Sequence, residues 1–249
     1  MDGLFSVALA GVHLPCALQF PELAQRLSAV PLDPKACPAN PVHVPAPHWT
    51  YFQKLGAEIN ADGEFAVICC YFSEALMEYD RMLFHSVAMR WHDKAYLIAA
   101  PSGVGKSTQA RHLQALRPGE FSVICGDRPV LQFCPSVNAP ANVESSVIVH
   151  PSFWNGKEGW HGADAAPLAG IILLERGEKN SICAVTPKEI AIPIYAQAYQ
   201  SYSKANIAKR SAEMVTRLLG MVPLWKLTTY MVPASTELLL ETVFSSSAM

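Results

Sequence analysis

The segment Tyr96-Leu-Ile-Ala-Ala-Pro-Ser-Gly-Val-Gly-Lys-Ser-Thr108 constrains this chain more than any other. The apolar run at its start reads as a buried strand, a small-residue turn follows, and helical spacing begins at Lys106. In a strand, glycine turn and helix of this kind, successive backbone N–H groups line an anion-sized concavity and the helix adds its positive dipole end. The spacing matches G-x-x-x-x-G-K-[ST], except that Ala100 stands where the first glycine belongs. The expected phosphate-binding residues are therefore Ser102, Gly103, Val104, Gly105, Lys106, Ser107 and Thr108. Lys106 is expected to hold the β- and γ-phosphates of ATP or another nucleoside triphosphate, and Ser107 to ligate Mg²⁺.

Composition limits the partners. With 249 residues and 51% apolar side chains, the chain can bury one large core, or one core with a small appendage. Charged residues make up 16% and leave a net charge of −2, so the basic footprint of a nucleic-acid binder is missing. Of the seven cysteines, Cys69 and Cys70 are adjacent, and neither Cys125 nor Cys134 has a C-x-x-C partner; reduced thiols in a cytoplasmic protein are expected. Asp2 without a basic n-region does not suggest a signal peptide. The most apolar helix candidate, 65–77, is too short to span a bilayer and carries Ser73 and Glu74, so it reads as a core helix and no membrane partner is expected.

Before the glycine turn, residues 3–14 read as a strand and 21–30 as a short helix. Residues 31–47 hold six prolines and read as a connector. Residues 50–59 suggest another strand, closed by the turn 60–63, with Asp62 capping a helix from about 64 to 79. Residues 83–89 lead through a hairpin at 92–94 into the strand of the glycine turn. His85 then lies close to that strand, either as a buried structural histidine or as a polar group facing the phosphates.

After the turn, the helix should stop near 117–119, and 121–133 reads as a strand pair broken at 126–129. Asp127, at the carboxyl end of an apolar strand beside the phosphate loop, stands where such folds place an acid near Mg²⁺. It would ligate the metal, directly or through water, or take the proton of an attacking hydroxyl; a plain turn-capping role is the other reading. In 151–160, two tryptophans bracket Lys157 and Glu158. This loop either closes over phosphates, with Lys157 neutralising charge and Glu158 reaching metal or substrate, or is a packed surface loop with solvated charges.

Farther on, 168–175 reads as a buried strand with 181–185 pairing back on it. Thr186, Pro187 and Glu189 have the pattern of a helix start with a capping box, the helix running to about 202. A helix over 206–219, a late or edge strand over 223–230 and a closing helix over 235–244 complete the expected elements, with 245–249 a frayed tail. Lys204, Lys209, Arg210 and Arg217 read as solvated faces of the C-terminal helices.

The order His85, 96–108 and Cys125-Gly-Asp-Arg128 resembles the kinase domain of HPr kinase/phosphorylase and its smaller relatives, a fold related to phosphoenolpyruvate carboxykinase. The resemblance covers about 83–136. It implies that Lys106 and Ser107 take the nucleotide and Mg²⁺ positions, that Asp127 is a general base or metal neighbour, that His85 is the early histidine of the family, and that Arg128 joins the site. Gly126 stands where the family has the first aspartate of a pair, and Thr108 where many members have glutamate.

Together these readings predict an α/β fold: a kinase core of the HPr kinase/phosphoenolpyruvate carboxykinase type, with a mixed sheet and flanking helices. An N-terminal α+β segment, 1–82, is expected to pack on a nucleotide-binding domain, 83–249. The expected activity is ATP-dependent phosphoryl transfer to a hydroxyl, with Asp127, Lys106 and Lys157 catalytic and with Ser107, Asp127 and Glu158 near Mg²⁺. The acceptor is a peptide, a protein or a small molecule, and the resemblance favours a homo-oligomer. The alternative is an ATP-dependent switch or partner-binding protein without kinase activity.

Overall fold

The computed structural model describes residues 3–33, 35, 37, 40–54, 56, 58–134, 146–162, 164–198, 205–230 and 232–244. The expected positions Lys204 and 245–249, the far end of the helix drawn to 202, and residues 135–145 lie outside the described residues.

The chain begins with β1 (Gly3–Leu9) and β2 (Val12–Leu18), an antiparallel hairpin where the sequence suggested one strand. The reversal at Ala10 and Gly11 puts both residues at positive φ, 48° and 75°. Alternating apolar residues run on through the turn, and alanine gives no turn signal, so the break is hard to read from sequence. A single helical turn, α1 (Leu23–Arg26), leads to β3 (Val30–Pro31), which pairs with β1. The segment expected as a strand over 50–59 is instead α2 (Ala46–Lys54). Its Pro47 sits in the first turn, where the missing N–H goes unused by the helix.

Next comes α3 (Ala61–Met77). Its N-cap is Asn60, not Asp62: the Asn60 side-chain oxygen accepts the Gly63 N–H at 2.8 Å. Asp62 lies in the first helical turn, where its charge suits the dipole, and it receives Arg26 at 2.5 Å. One helical step on, the Glu64 carboxylate accepts the backbone N–H groups of Gln19 and Phe20 at 2.9 and 3.0 Å. The joint between hairpin and helix therefore runs through a side chain that is only 1% exposed.

The main sheet is built from β4 (Arg81–Leu83), β5 (Ser86–Trp91), β6 (Lys94–Ala99), β7 (Phe121–Cys125), β8 (Val130–Cys134), β9 (Ser146–His150), β10 (Ala166–Arg176), β11 (Ser181–Ala184) and β12 (Leu224–Thr229). Its order is β4-β8-β9-β10-β6-β5-β7, with β12 and β11 joined beside the second half of β10. The sheet is mixed: β10 runs parallel to β6 and β12, whereas β5 and β7 are antiparallel to their neighbours. Two expectations change here. β7 and β8 do not pair with each other, because β7 lies on β5 and β8 between β4 and β9. β11 pairs with β12, which makes β12 an interior strand.

Helices cover both faces, and alternation along the strands sorts the core. Leu97, Ala99, Ile171 and Leu173 face a core completed by Ile190 and Ile194 of α5 (Pro187–Tyr195) and Met214 and Leu218 of α6 (Ala205–Leu219). Tyr96, Ile98, Ile172 and Leu174 face the opposite core, with Ala110 and Leu113 of α4 (Lys106–Leu116), Leu239 of α7 (Val232–Leu239) and Phe244 of a closing π-helical turn. A third core joins the N-terminal hairpin and α3 to Leu83, Val130 and Trp154.

At the start of α5, the Glu189 carboxylate accepts the Thr186 N–H at 2.7 Å, as the capping pattern predicts, and also accepts the Thr186 hydroxyl at 2.7 Å. The helix is shorter than expected and closes at Tyr195. Lys209 keeps a solvated pairing with Glu213, but Arg210 and Arg217 both turn towards Asp80, and Arg210 also donates to the Met77 carbonyl. No helix among the described residues is long and apolar enough to cross a membrane.

Candidate functional site

The site forms where β6 ends. The buried strand stops at Ala99, residues 100–105 turn, and α4 starts at Lys106 with Gly105 as N-cap. The turn depends on two glycines: Gly103 at φ +79° and Gly105 at φ +126°, conformations that a Cβ disfavours. Gln109 fixes the helix behind it, donating to the Ser235 hydroxyl and accepting from Thr236, both at 2.7 Å. The Arg176 guanidinium, at the end of β10, braces the outer side of the turn through the carbonyls of Gly103 at 2.9 Å and Val104 at 3.4 Å.

Lys106 folds back under the turn and is only 8% exposed. Its ammonium donates to the Ala100 carbonyl at 2.9 Å and the Pro101 carbonyl at 3.5 Å, and stands 3.0 Å from His85 Nε2. An ammonium has three N–H donors, and here each has a protein acceptor.

His85 sits between β4 and β5, and its backbone is held on both sides. Its N–H donates to the Gln197 carbonyl at 2.8 Å, Phe84 N–H to Pro129 at 3.1 Å, and Ser86 N–H to Asp127 at 2.9 Å. The Gln197 side-chain N–H is committed to the Pro193 carbonyl, which leaves Gln197 Oε1 facing His85 Nδ1 at 2.9 Å. Nδ1 must then carry the proton and Nε2 the lone pair that receives Lys106. Burial, and after it the Lys106 charge, push the His85 pKa below its ordinary value, so the ring is neutral beside the ammonium. Burial also lowers the Lys106 pKa, against the opposing pull of Asp127.

Asp127 follows β7, with Oδ1 3.5 Å from His85 Nε2 and Oδ2 3.4 Å from Arg128 Nε. The loop of 151–160 is packed directly on this segment. Ser152 donates its hydroxyl to the Arg128 carbonyl at 2.6 Å, Arg128 N–H reaches the Trp154 carbonyl at 3.0 Å, and Gly126 N–H reaches that of Trp160 at 3.1 Å. Trp154 is buried in the third core, so the loop is anchored and still presents Lys157 and Glu158 to the site.

These elements enclose a cavity of about 500 Å³. Of the phosphate-binding residues expected from sequence, Ser102, Gly103, Gly105, Lys106, Ser107 and Thr108 line it; Val104 instead packs on the core. Asp127, Arg128, His85, Lys157 and Glu158 line it as well. Arg111 and Gly156 join them without having been singled out by the sequence reading. Arg111 lies one helical turn after Ser107 and ion-pairs with Glu158 at 3.2 Å, so i,i+4 spacing is a signal that leads to it. Gln197 gives no such signal, because 112 residues separate it from His85.

Four cations, Lys106, Arg111, Arg128 and Lys157, face two carboxylates, Asp127 and Glu158, around this cavity. With the turn's N–H groups and the helix start, that donor set fits a polyphosphate. Among the described residues, no group of three or more His, Cys, Asp or Glu side chains gathers as a metal cage. A hard cation sharing Ser107, Asp127 or Glu158 with bound phosphates fits the same residues.

No family model matches the chain, and no curated protein matches it. Among solved structures, the chain is similar to the Hpr(Ser) kinase/phosphatase from Coxiella burnetii. The alignment covers 67% of this chain and 99% of that one, at 10% identity and a TM-score of 0.33.

Proposed function

We propose that the protein is an ATP-dependent kinase that transfers the γ-phosphoryl group to a hydroxyl. The observation that carries this reading is the convergence of Lys106, neutral His85 and Asp127 on one cavity floored by a glycine turn, with His85 Nε2 3.0 Å from the Lys106 ammonium and 3.5 Å from Asp127 Oδ1. Phosphoryl transfer needs positioning and charge neutralisation more than covalent chemistry from the protein.

In this reading the N–H groups of the turn and Lys106 hold the terminal phosphates. The long contact of Lys106 with Pro101, 3.5 Å, is the one that yields as the ammonium turns to a phosphate. His85 keeps Lys106 aimed without adding a second charge. Arg111 and Lys157 neutralise phosphate oxygens from the sides, and Asp127 orients the acceptor hydroxyl and takes its proton. Ser107 with Asp127 or Glu158 would hold Mg²⁺, which would supply further neutralisation of phosphate charge. The buried thiols at Cys16, Cys69 and Cys125 suit a reducing, cytoplasmic setting.

The test is calorimetric titration with Mg²⁺ and a non-hydrolysable ATP analogue. Saturable binding is expected for the wild type, with its loss in Lys106→Ala; equal affinity in the two proteins overturns the nucleotide site. Asp127→Asn should retain that binding while losing transfer by about 10²- to 10⁴-fold. A second reading, a nucleotide-dependent switch without transfer, is favoured by one feature. At Gly126 a Cβ would lie 2.3 Å from the Asn155 carbonyl oxygen, so a second acid has no room there. Wild-type binding with no transfer to any hydroxyl compound would select it.

A further inference from the structure

Asp127 lines two cavities. Beyond the one at the glycine turn lies a second, of about 680 Å³, and Asp127, Arg128, Gly156 and Lys157 form the wall between them. The far wall of this second cavity is aromatic. Trp154 is 2% exposed, and its indole N–H is held by the Phe65 carbonyl at 3.2 Å. Its ring lies 5.8 Å from that of Phe65 and 4.4 Å from that of Phe153.

The rim is cationic. Arg26 lies over the Phe65 ring at 3.9 Å, steadied by Asp62 at 2.5 Å, and Arg128 and Lys157 line the same cavity. Asp127 is the one carboxylate among the lining residues.

We propose that this second cavity is the phosphate-acceptor site, and that the acceptor is a small organic anion with three parts: a carboxylate, a flat apolar or aromatic body, and a hydroxyl. The proposal rests on the kinase reading and adds the substrate class. The volume is that of a small-molecule site. The carboxylate is met by Arg26 with Arg128 or Lys157, the ring lies on the half-buried Phe65 and Phe153, which Trp154 backs from the core, and the hydroxyl reaches Asp127 at the boundary. In the transfer, the hydroxyl oxygen bonds to the γ-phosphorus of the nucleoside triphosphate. The bond from that phosphorus to the β,γ-bridging oxygen breaks, its electron pair leaves with the nucleoside diphosphate, and the hydroxyl proton passes to the Asp127 carboxylate.

The experiment titrates the full chain by calorimetry with 3-phenyllactate, its methyl ester and lactate, each with and without a saturating non-hydrolysable ATP analogue. Saturable binding of phenyllactate is expected, at least tenfold tighter than that of the neutral ester or the ringless acid. Arg26→Ala should weaken it severalfold and leave the affinity for the ATP analogue unchanged. Ala66→Phe, which fills the cavity from α3, should abolish it. The proposal is overturned if phenyllactate fails to bind a protein that does bind the analogue, if acid and ester bind equally, or if neither variant changes the affinity. Failure of the analogue itself to bind strikes the kinase reading instead, and the acid titration still reports on the cavity.

Discussion

A Cβ placed on Gly126 would come within 2.3 Å of the Asn155 carbonyl oxygen and 3.2 Å of the Trp160 Cβ. The chain therefore cannot carry a side chain immediately before Asp127 while the loop of 151–160 is packed as it is. Gly126→Ala should destabilise the protein by about 1–3 kcal/mol through overpacking, and Gly126→Asp by at least as much. Urea unfolding of both variants checks this. An unchanged midpoint in Gly126→Ala would mean that the loop can lift away at no cost.

The neutral imidazole of His85 makes stability depend on pH. The unfolded chain protonates this histidine near its ordinary value of 6.5, and the folded protein only at lower pH. Between the two, the unfolded state holds more protons, so this contribution is full above about 6.5 and is lost as the pH falls towards the folded value. His150, also lowered by burial and by Arg81, adds a loss of the same sign. His85→Gln should therefore show a smaller drop in urea midpoint between pH 7.5 and pH 5.5 than the wild type, with His150→Gln removing a separate share.

The buried Glu64 carboxylate accepts the backbone N–H groups of Gln19 and Phe20. Glu64→Gln turns one acceptor into an NH₂ facing a donor, which should cost about 1–3 kcal/mol of stability. Hydrogen exchange at the Gln19 and Phe20 amides should accelerate more than at β10. Uniform acceleration across both would mean that the hairpin and the main sheet open as a single unit.

Arg176 touches the glycine turn only from outside, through the Gly103 and Val104 carbonyls. Arg176→Ala should lower the melting temperature only slightly and, by letting the unliganded turn relax out of its binding geometry, weaken the affinity for the ATP analogue by roughly threefold to tenfold. Calorimetry paired with thermal unfolding reads both. A large fall in melting temperature would instead assign Arg176 to the stability of β10.

Where the deciding interactions are local, the sequence was sufficient. The apolar run at 96–100, the glycines at 103 and 105 and the helical spacing from Lys106 specify strand, turn and helix within one short stretch, because strand burial, positive φ and helix start are all properties of near neighbours. The capping pattern at Thr186 and Glu189 was legible for the same reason. The Ala10–Gly11 reversal and α2 were not legible. An alanine at positive φ is a choice that packing of the third core makes possible and propensity does not favour, and Pro47, though well suited to a first helical turn, stands in a proline-rich stretch that hides the helix start.

The site divides along the same line. Lys106, Ser107 and Asp127 could be picked out because strand ends and a glycine turn place them. That Gln197 would fix the tautomer of His85, that Arg176 would brace the turn, and that Arg26 and Phe65 would meet Lys157 and Asp127 across a second cavity was decided only by the tertiary structure. These residues are far apart in the chain and share no local period. Only the packing of the hairpin and α3 on one side, and of α5 on the other, brings them together.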